Sequence, residues 1–529
     1  MTKESKLIRS YFPRIAYILG ALLFGVFVTT PTLILPTDVW DGVLLQYVSE
    51  RRNYSDLWRY FLDSTWYLQY WLVVWTIQIA DAINLNYKNT NACLCLLIFT
   101  SYLREVWILA ANRFKLEMSW CILLTVIVAL YPTWSCLLSS VLTFHLLCIS
   151  IGLSSIRLLH DRHLFCNVAA VPLVLASYSL QSQLVFLPVL SFVYDLMRTE
   201  GECQPKRMVS VRTIVVFLMA VAAYLFSKLL FPPTGIFLNY QGLIITSITG
   251  ILPTFLQGLH FVSFLVPLAL LTFMIAPVGI CTAGSASDGH NEARNRTTRL
   301  PYLTAIIMLF LAGAFPYVAV GKSAILWEVN DWVGRQAFLI VMPTALLSVM
   351  TFRWYYSNAI SEAARRVVLV MIMLYLLVMT TLLMLGVSAK MSRQLFISQL
   401  TEVIKEHETE LPPGLIQIVG DDLPPTVFEF YEPNYLMFQA TGKSHWYARI
   451  GQHVDPDFSV IPIVLGRVDY QNIFVYNPAP AELQRHTLLT IKAVGFQGVS
   501  SMMRNAFGIG TQGTVIFLQS SSLTSGNVR

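Results

Sequence analysis

Apolar runs of about 20 residues, separated by short polar segments, occupy roughly the first 385 residues of the chain. A helical run of this length crosses a hydrocarbon core of about 30 Å, so the pattern predicts a polytopic α-helical membrane protein. The first run has no small-residue cleavage site behind it and is predicted to be an anchor rather than a signal peptide. The eleven predicted crossings are Ala16–Leu35, Asn91–Ala111, Met118–Thr133, Ser135–Ile156, Leu164–Tyr178, Leu184–Met197, Val211–Leu230, Leu259–Val278, Tyr302–Val320, Ala337–Phe352 and Val367–Leu385.

Basic residues gather in alternate loops between these runs and predict the direction of each crossing. Short loops rich in Lys and Arg stay on the cytoplasmic side, so the N-terminus is expected inside. Eleven crossings then place the C-terminus outside a cytoplasmic (inner) membrane. The loops that mark the inner side contain Arg113/Lys115, Arg157/Arg162, Arg198/Lys206/Arg207, Arg294/Arg296/Arg299 and Arg353/Arg365/Arg366.

The aromatic-rich segment Trp66–Asn86 is expected to lie in the outer membrane interface. Between Asp38, outside, and Arg113, inside, the number of crossings must be odd, yet two apolar segments lie there. Trp66–Asn86 carries several Trp and Tyr residues and is interrupted by Gln69, which is typical of a helix lying at headgroup level. The alternative is that both segments span and a later short helix is re-entrant.

After Leu385 the hydropathy falls and the pattern predicts a second unit. Residues 1–387 are expected to form the transmembrane module, with a first outer loop and interfacial helices at 36–89. Residues 388–529 are expected to form a small extracytoplasmic α+β domain, large enough for its own core. A helix is predicted over Arg393–Glu410. Short alternating runs predict strands at Leu415–Val419, Thr426–Tyr431, Tyr435–Gln439, Ile461–Val464, Ile473–Tyr476, Thr487–Ala493 and Thr514–Leu518.

Composition agrees with a lipid environment. Of the 529 residues, 55% are hydrophobic and only 12% are charged, whereas soluble proteins carry roughly 25% charged residues. The net charge of +6 does not indicate a nucleic-acid partner, because the basic residues lie at helix ends. The lipid bilayer is the partner that the composition predicts.

Two carboxylates follow the first apolar run at the predicted outer surface. Asp38 and Asp41 are three residues apart, so on a first helical turn they project to one side. This spacing suits a general base together with a second carboxylate that orients an acceptor or binds a divalent cation. The structural alternative is a helix N-cap. No His or Cys spacing defines a metal site, so the metal stays unknown and no other cofactor is predicted.

The first outer loop resembles that of the GT-C-type integral membrane glycosyltransferases. The residues that carry the resemblance are Thr37-Asp38-Val39-Trp40-Asp41-Gly42, Trp66-Tyr67-Leu68-Gln69-Tyr70 and Ala129-Leu130-Tyr131-Pro132. The resemblance implies that an early aspartate acts as base or binds the acceptor, with inversion at the anomeric carbon. The acidic pair that is adjacent in many members is split here by two residues, so either Asp38 or Asp41 can be the base, and we favour Asp41.

Further polar residues are candidates for substrate contacts. Lys322 and Arg335 lie in a predicted outer loop and are expected to hold the phosphate of a lipid-linked donor, Arg335 foremost. Snorkelling at the interface is the alternative for this pair. The expected substrate-binding residues, each of which could instead serve packing, solvation or an internal ion pair, are Trp40, Tyr67, Gln69, Arg104, Gln181 and His145.

These observations favour a sugar transferase that works at the outer surface. The sequence has no Walker A loop, no G-x-G-x-x-G after a strand and no G-x-S-x-G, and no inner loop is long enough for a nucleotide-sugar domain. The expected donor is therefore a polyprenyl-phosphate-linked sugar, and the expected acceptor is a cell-surface glycan or glycolipid. Alternatives are a surface-polysaccharide polymerase or ligase, a lipid-linked-sugar transporter or flippase, and a non-enzymatic assembly scaffold.

Overall fold

The fold is described from a computed structural model of the chain. The residues that it describes are 16–35, 37–39, 41–51, 54–63, 67–161, 163–197, 210–230, 256, 258–283, 289–328, 332–359, 361–411, 414–421, 423–424, 431–442, 446–451, 486–508 and 513–523.

Helices dominate the described part of the chain. The α-helices are α1 Ala16–Ile34, α2 Asp41–Arg51, α3 Tyr54–Asp63, α4 Tyr67–Ala82, α5 Tyr87–Asn112, α6 Met118–Ala129, α7 Thr143–Leu159, α8 Leu164–Ser177, α9 Gln183–Leu196, α10 Val211–Leu230, α11 Val266–Ala283, α12 Gly289–Val318, α13 Val341–Asn358, α14 Glu362–Glu406, α15 Tyr431–Thr441 and α16 Val499–Phe507. Shorter 3₁₀ segments lie at Pro132–Leu138, Ser140–Leu142, Ser263–Leu265, Leu326–Glu328, Trp332–Ile340 and Glu408–Glu410.

The long apolar helices are those of a helical membrane protein. Among the described residues, six helical stretches are long and apolar enough to cross a bilayer, or seven if α6 and Pro132–Leu138, bent by 49°, form one broken span. The six are Ala16–Ile34, Tyr87–Asn112, Ser140–Leu159, Pro301–Val318, Gly334–Asn358 and Glu362–Glu406.

Four predicted crossings correspond to shorter helices. These are Leu164–Ser177, Gln183–Leu196, Val211–Ser227 and Gly258–Met274. The first two have 14 residues each and are about 21 Å long, less than a typical hydrocarbon core of about 30 Å. By length and composition, the described residues therefore support six or seven spans, fewer than the eleven predicted. Helix α4, predicted to be interfacial, is not among the candidate spans.

Local sequence explains where the long helices begin and end. The Asn86 side chain accepts a hydrogen bond from the Asn89 amide (2.7 Å) and caps α5, and Ser361 caps α14 in the same way through Ala364. Helix α6 stops before Pro132, which lacks the amide needed to continue the helical ladder.

Aromatic packing joins the first helices to the break after α6. Phe24 of α1 stacks on Phe99 of α5 with the ring centroids 3.8 Å apart. Phe99 also packs edge-on against Trp134, which contacts Phe338 in turn. Trp134 is fully buried. Because lipid is as apolar as these side chains, close packing rather than the hydrophobic effect holds the helices together.

Contacts between helix ends define two ends of the bundle. The Lys88 ammonium, at the start of α5, donates to the carbonyl of Thr32 at the end of α1. At the far end of α5, Glu105 pairs with Arg157 near the end of α7. We call the first the Asp38 end, because Asp38 lies a few residues beyond α1. We call the second the Arg353 end, because Arg353 pairs with Glu117 there. The 26 residues of α5 separate them by about 39 Å.

A four-stranded sheet follows α14. Its strands are β1 Gly414–Asp421, β2 Trp446–Gly451, β3 His486–Val494 and β4 Thr514–Leu523, in the order β2-β1-β3-β4. Strand β1 is parallel to β2 and β3, and β4 is antiparallel to β3. Helices α15 and α16 connect β1 to β2 and β3 to β4 along the chain, although parts of these connections lie outside the described residues.

The second half of α14 belongs to the core of this sheet. Phe396, Leu400 and Ile404 are buried against Ile416 and Ile491 of the strands. Helix α14 is therefore continuous across residues 387 and 388, the boundary predicted from hydropathy. An amphipathic extension of an apolar span explains this continuity.

Three of the predicted strands coincide with β1, β3 and β4, but one was wrong. Tyr435–Gln439 lies within helix α15, where Tyr435, Leu436 and Met437 are all buried. A short apolar run does not distinguish a buried strand from a buried helix. Strand β2 was not predicted. The predictions at Thr426–Tyr431, Ile461–Val464 and Ile473–Tyr476 fall wholly or almost wholly outside the described residues.

Candidate functional site

Asp38 is fully buried at the junction of three segments of the chain. Its carboxylate oxygen Oδ1 accepts hydrogen bonds from the amides of Val39 (2.7 Å) and Ser140 (3.2 Å). Its own amide donates to Gln46 of α2, at 2.8 Å. None of the residues that the structure describes hydrogen-bonds Oδ2. The carboxylate is thus held through one oxygen.

Gly42 covers this carboxylate. A Cβ atom at position 42 would lie 2.2 Å from Oδ1 and 2.6 Å from Oδ2 of Asp38. Only a residue without a side chain allows this approach, since real Cβ atoms keep at least about 3 Å from other heavy atoms. Asp38 therefore lies directly against the first turn of α2, of which Asp41 is the first residue.

Gln394 of α14 holds the Asp38 loop from the opposite side. Its amide nitrogen donates to the carbonyl of Asp38 at 2.7 Å, and its amide oxygen accepts from the Thr37 hydroxyl. The neighbouring Arg393 forms an ion pair with Glu432 of α15, and each side chain is 1% exposed. One helix turn earlier, Lys390 donates to Ser135. Helix α14 thus connects the Asp38 loop to the sheet.

Side-chain hydrogen bonds join the irregular segment after Leu138 to the Asp38 loop and to helices α4 and α5. The Ser139 hydroxyl donates to the Val39 carbonyl at 2.8 Å. Gln69 of α4 donates to the Val141 carbonyl at 3.0 Å, and Asn91 of α5 donates to the Thr143 hydroxyl at 2.8 Å. The bond from Gln69, and a longer one from Asn91 to the Ser140 carbonyl (3.4 Å), pair backbone groups of the segment, as an irregular backbone at membrane depth requires.

Burial dominates the ionisation of Asp38. It raises the pKa of this carboxyl to about 6, whereas the hydrogen bonds from Ser140 and Val39 and the charge of Lys88 act in the opposite direction. A carboxyl group in this range changes charge just below neutral pH. It is therefore suited either to accepting a proton or to a neutral structural role.

Asp38 is expected to make stability depend on pH. Because its pKa is raised from 3.8 to about 6, its contribution to the free energy of unfolding is greatest below pH 3.8 and is lost as pH rises through about 6. The loss amounts to about 3 kcal/mol. Asp38→Asn does not titrate, so the stability of this variant relative to the native protein should rise by most of that amount from pH 4 to pH 7.

Apparent Tm measured in detergent across this pH range tests the prediction. Asp81→Asn is the matched control, because Asp81 is exposed near the end of α4 and the substitution removes a carboxylate of the same size. A constant difference between Asp38→Asn and the native protein at all pH values would contradict the prediction.

Two cationic side chains, Lys322 and Arg335, lie between α12 and α13, near the start of α7. Burial lowers the pKa of Lys322 to about 8, and the nearby charge of Arg335 acts in the same direction. Arg335 is also within electrostatic range of His145 and of Tyr317. The Tyr317 hydroxyl donates to Ser182 at 3.4 Å. We call Lys322 and Arg335 the cationic cluster, and the buried side chain of His145 is its neighbour.

The cationic cluster lies at the Asp38 end. His145 follows Ser140, whose amide binds Asp38, by five residues of one helical stretch, a rise of about 8 Å. The segment that carries Arg335 packs against the break after α6 through Phe338 and Trp134. An anion in this cluster would therefore lie near the Asp38 loop.

Only some of the remaining predicted residues lie near this site. Gln69 is 1% exposed and donates to the Val141 carbonyl, close to the Ser140 contact with Asp38. Gln181 precedes Ser182, which accepts a hydrogen bond from Tyr317 near the cationic cluster. Arg104 does not approach this site, because it lies towards the Arg353 end and pairs with Glu105. Trp40 and the side chains of Asp41 and Tyr67 lie outside the described residues, so their roles stay predictions.

Several residues of the site were not predicted from the sequence. Lys390 and Gln394 are polar residues four positions apart in an otherwise apolar helix, and this pattern could have identified them. Ser139-Ser140, which lies between two apolar runs, could have been identified in the same way. Gly42 carries no such signal, since its role depends on a contact in space. Among the described residues, no group of three His, Cys, Asp or Glu side chains could hold a metal ion.

The chain matches no protein-family model, and a comparison with curated proteins finds no similar sequence. A functional conclusion therefore depends on the site itself.

Proposed function

We propose that this protein is a multi-spanning glycosyltransferase that uses a polyprenyl-phosphate-linked sugar at the outer membrane surface. The observation that carries the proposal is the cationic cluster beside His145, which lies about 8 Å along one helical stretch from the Asp38 contact. Such a cluster suits a phosphate, and the adjacent acidic loop suits a hydroxyl acceptor. The acceptor would be a cell-surface glycan or glycolipid.

The proposed reaction is a direct displacement at the anomeric carbon. The acceptor hydroxyl oxygen forms the new bond, the bond between the anomeric carbon and the phosphate oxygen breaks, and the hydroxyl proton passes to an aspartate. The departing polyprenyl phosphate gains one negative charge. Arg335 and Lys322 would stabilise this charge more strongly in the transition state than in the bound donor, which is the requirement for catalysis.

The enclosure of Asp38 favours Asp41 as the base. Asp38 is covered by Gly42 and accepts two backbone hydrogen bonds, so it cannot meet an acceptor unless α2 moves. Asp41 is the first residue of α2 and precedes Gly42 in the chain. In this proposal Asp38 is a positioning residue that sets the direction of the first turn of α2.

The proposal extends to topology. It requires the Asp38 end and the sheet that follows α14 to face the outer side, with the N-terminus in the cytoplasm. An odd number of crossings satisfies this requirement, whether the eleven predicted or the seven obtained when the bent pair counts as one span. Basic residues of the Arg353 end, Lys115 and Arg353 among them, support it, because positively charged ends stay inside.

The test uses purified full-length protein in liposomes with short-chain polyprenyl-phosphate hexoses and pentoses as donors. Envelope glycans and glycolipids of the native host serve as acceptors, and release of polyprenyl phosphate is measured. Asp41→Asn should lower the rate at least about a hundredfold, as loss of a general base does. Arg335→Gln should raise the donor KM and lower kcat together.

Two controls separate chemistry from folding. Asp81→Asn and Arg366→Gln remove exposed charges elsewhere in the chain and should leave the rate unchanged. Full activity of both Asp41→Asn and Asp38→Asn would overturn the mechanism. A native protein that uses none of the donors would overturn the proposed function.

A further inference from the structure

A groove of about 550 Å³ opens at the Arg353 end of the bundle. Its walls come from the segment after α5 and from α11, α12 and α13. The apolar lining includes Leu303, Ile306, Leu347 and Met350. This volume is in the range of small-molecule sites in proteins, and no residue of the proposed transferase site lines it.

The position of the groove relates it to the membrane surface. Three candidate spans, Tyr87–Asn112, Pro301–Val318 and Gly334–Asn358, begin or end beside it. The groove therefore extends from a bilayer surface into the depth of the acyl chains. Trp354, which is 46% exposed, and Tyr355 lie at this level, as aromatic residues do at headgroup depth.

Two cationic residues line the groove near the end of the spans. Lys115 follows the end of α5, and Arg353 lies in the last turns of α13. Arg353 also contacts Glu117 at 3.2 Å, but the Glu117 side chain is 69% exposed. An ion pair of this kind is weak, so a phosphate can compete with Glu117 for the guanidinium group.

We propose that this groove binds an anionic phospholipid of the leaflet at the Arg353 end. Its phosphate would lie between Lys115 and Arg353, and an acyl chain would follow Leu303, Ile306 and Leu347. Charge complementarity selects an anionic headgroup, and an apolar wall continuous with the bilayer selects a lipid rather than a free anion. The inference is independent of the proposed transferase activity.

The experiment is a lipid titration of the delipidated full-length protein in detergent, followed by native mass spectrometry. Phosphatidylglycerol is the anionic probe, and phosphatidylcholine is the neutral probe of similar chain length. The native protein should bind phosphatidylglycerol more tightly. The double variant Lys115→Gln/Arg353→Gln should weaken this binding about thirtyfold, because it removes two charges near the headgroup.

Two further variants distinguish the groove from general surface charge. Leu303→Trp narrows the groove without changing charge and should weaken binding of both lipids. Arg366→Gln removes an exposed charge at the same end of the bundle but outside the groove, and it should have little effect. Monodispersity and apparent Tm establish that each variant is folded.

Equal binding of the two lipids by the native protein would overturn the proposal, because headgroup charge would then play no part. Phosphatidylglycerol binding that survives Lys115→Gln/Arg353→Gln, or that falls as far in Arg366→Gln, would also overturn it. Selective binding lost in the double variant and in Leu303→Trp, but kept in Arg366→Gln, would support it.

Discussion

Glu432→Gln is expected to lower the free energy of unfolding by about 3–5 kcal/mol, the usual cost of removing one partner of a buried ion pair. The substitution leaves the Arg393 guanidinium, 1% exposed, without the carboxylate that it contacts. Because Gln394 is the next residue and holds Thr37 and Asp38, the Asp38 loop should loosen as well. Chemical or thermal unfolding in detergent measures the first effect.

A matched pair of variants tests the physical reason. Glu362→Gln breaks the ion pair with Arg366 on the same helix, but both side chains are at least 67% exposed. This control should change stability by no more than about 0.5 kcal/mol. The double variant Arg393→Met/Glu432→Met should recover much of the stability lost in Glu432→Gln, because no charge is left unpaired. A mild effect of Glu432→Gln would contradict the argument.

Gly42→Ala is expected to displace the Asp38 carboxylate and to destabilise the protein by about 3 kcal/mol or more. Its Cβ would lie 2.2 Å from Oδ1, so the hydrogen bonds from Val39 and Ser140 cannot keep their geometry. Overpacking costs about 1–3 kcal/mol and loss of a hydrogen bond to a charged group about 1.5–3 kcal/mol. Apparent Tm measures the effect.

Gly25→Ala is the matched control. The nearest atoms to a Cβ at position 25 are 3.9 Å away, and alanine is favoured over glycine within a helix by about 1 kcal/mol. This variant should be neutral or slightly stabilising. Gly42→Ala combined with Asp38→Ala should cost less than the sum of the single variants, because the collision disappears. If the stability costs of the two single variants simply add in the double variant, then the effect of Gly42→Ala does not come from a collision with the Asp38 carboxylate.

These two predictions concern one connected structure. The sheet reaches the Asp38 loop through Glu432, Arg393 and Gln394, and α2 reaches the same carboxylate through Gly42. A disturbance on either side should therefore change the position of Asp41. If the proposed transferase function holds, both Glu432→Gln and Gly42→Ala lower activity without touching substrate.

The helical membrane character of the chain could be read from periodicity, because a span needs a long apolar run and nothing else. The number of spans could not be read from periodicity. Pro132 interrupts an apolar stretch, and the helices before and after residues 130 and 131 are bent by 49° relative to each other. Tyr435–Gln439 shows the same limit, since a short apolar run fits a buried helix as well as a strand.

The sequence by itself determined the apolar helices, the basic loops and the acidic pair after the first span. These depend on local composition and spacing, which neighbours in sequence specify. Only the tertiary structure decided that Asp38 is enclosed by Gly42, that Gln394 holds its loop, and that Arg335 approaches His145. Residues 38 and 394 are 356 positions apart, and no local pattern encodes such a contact, because packing of the whole bundle creates it.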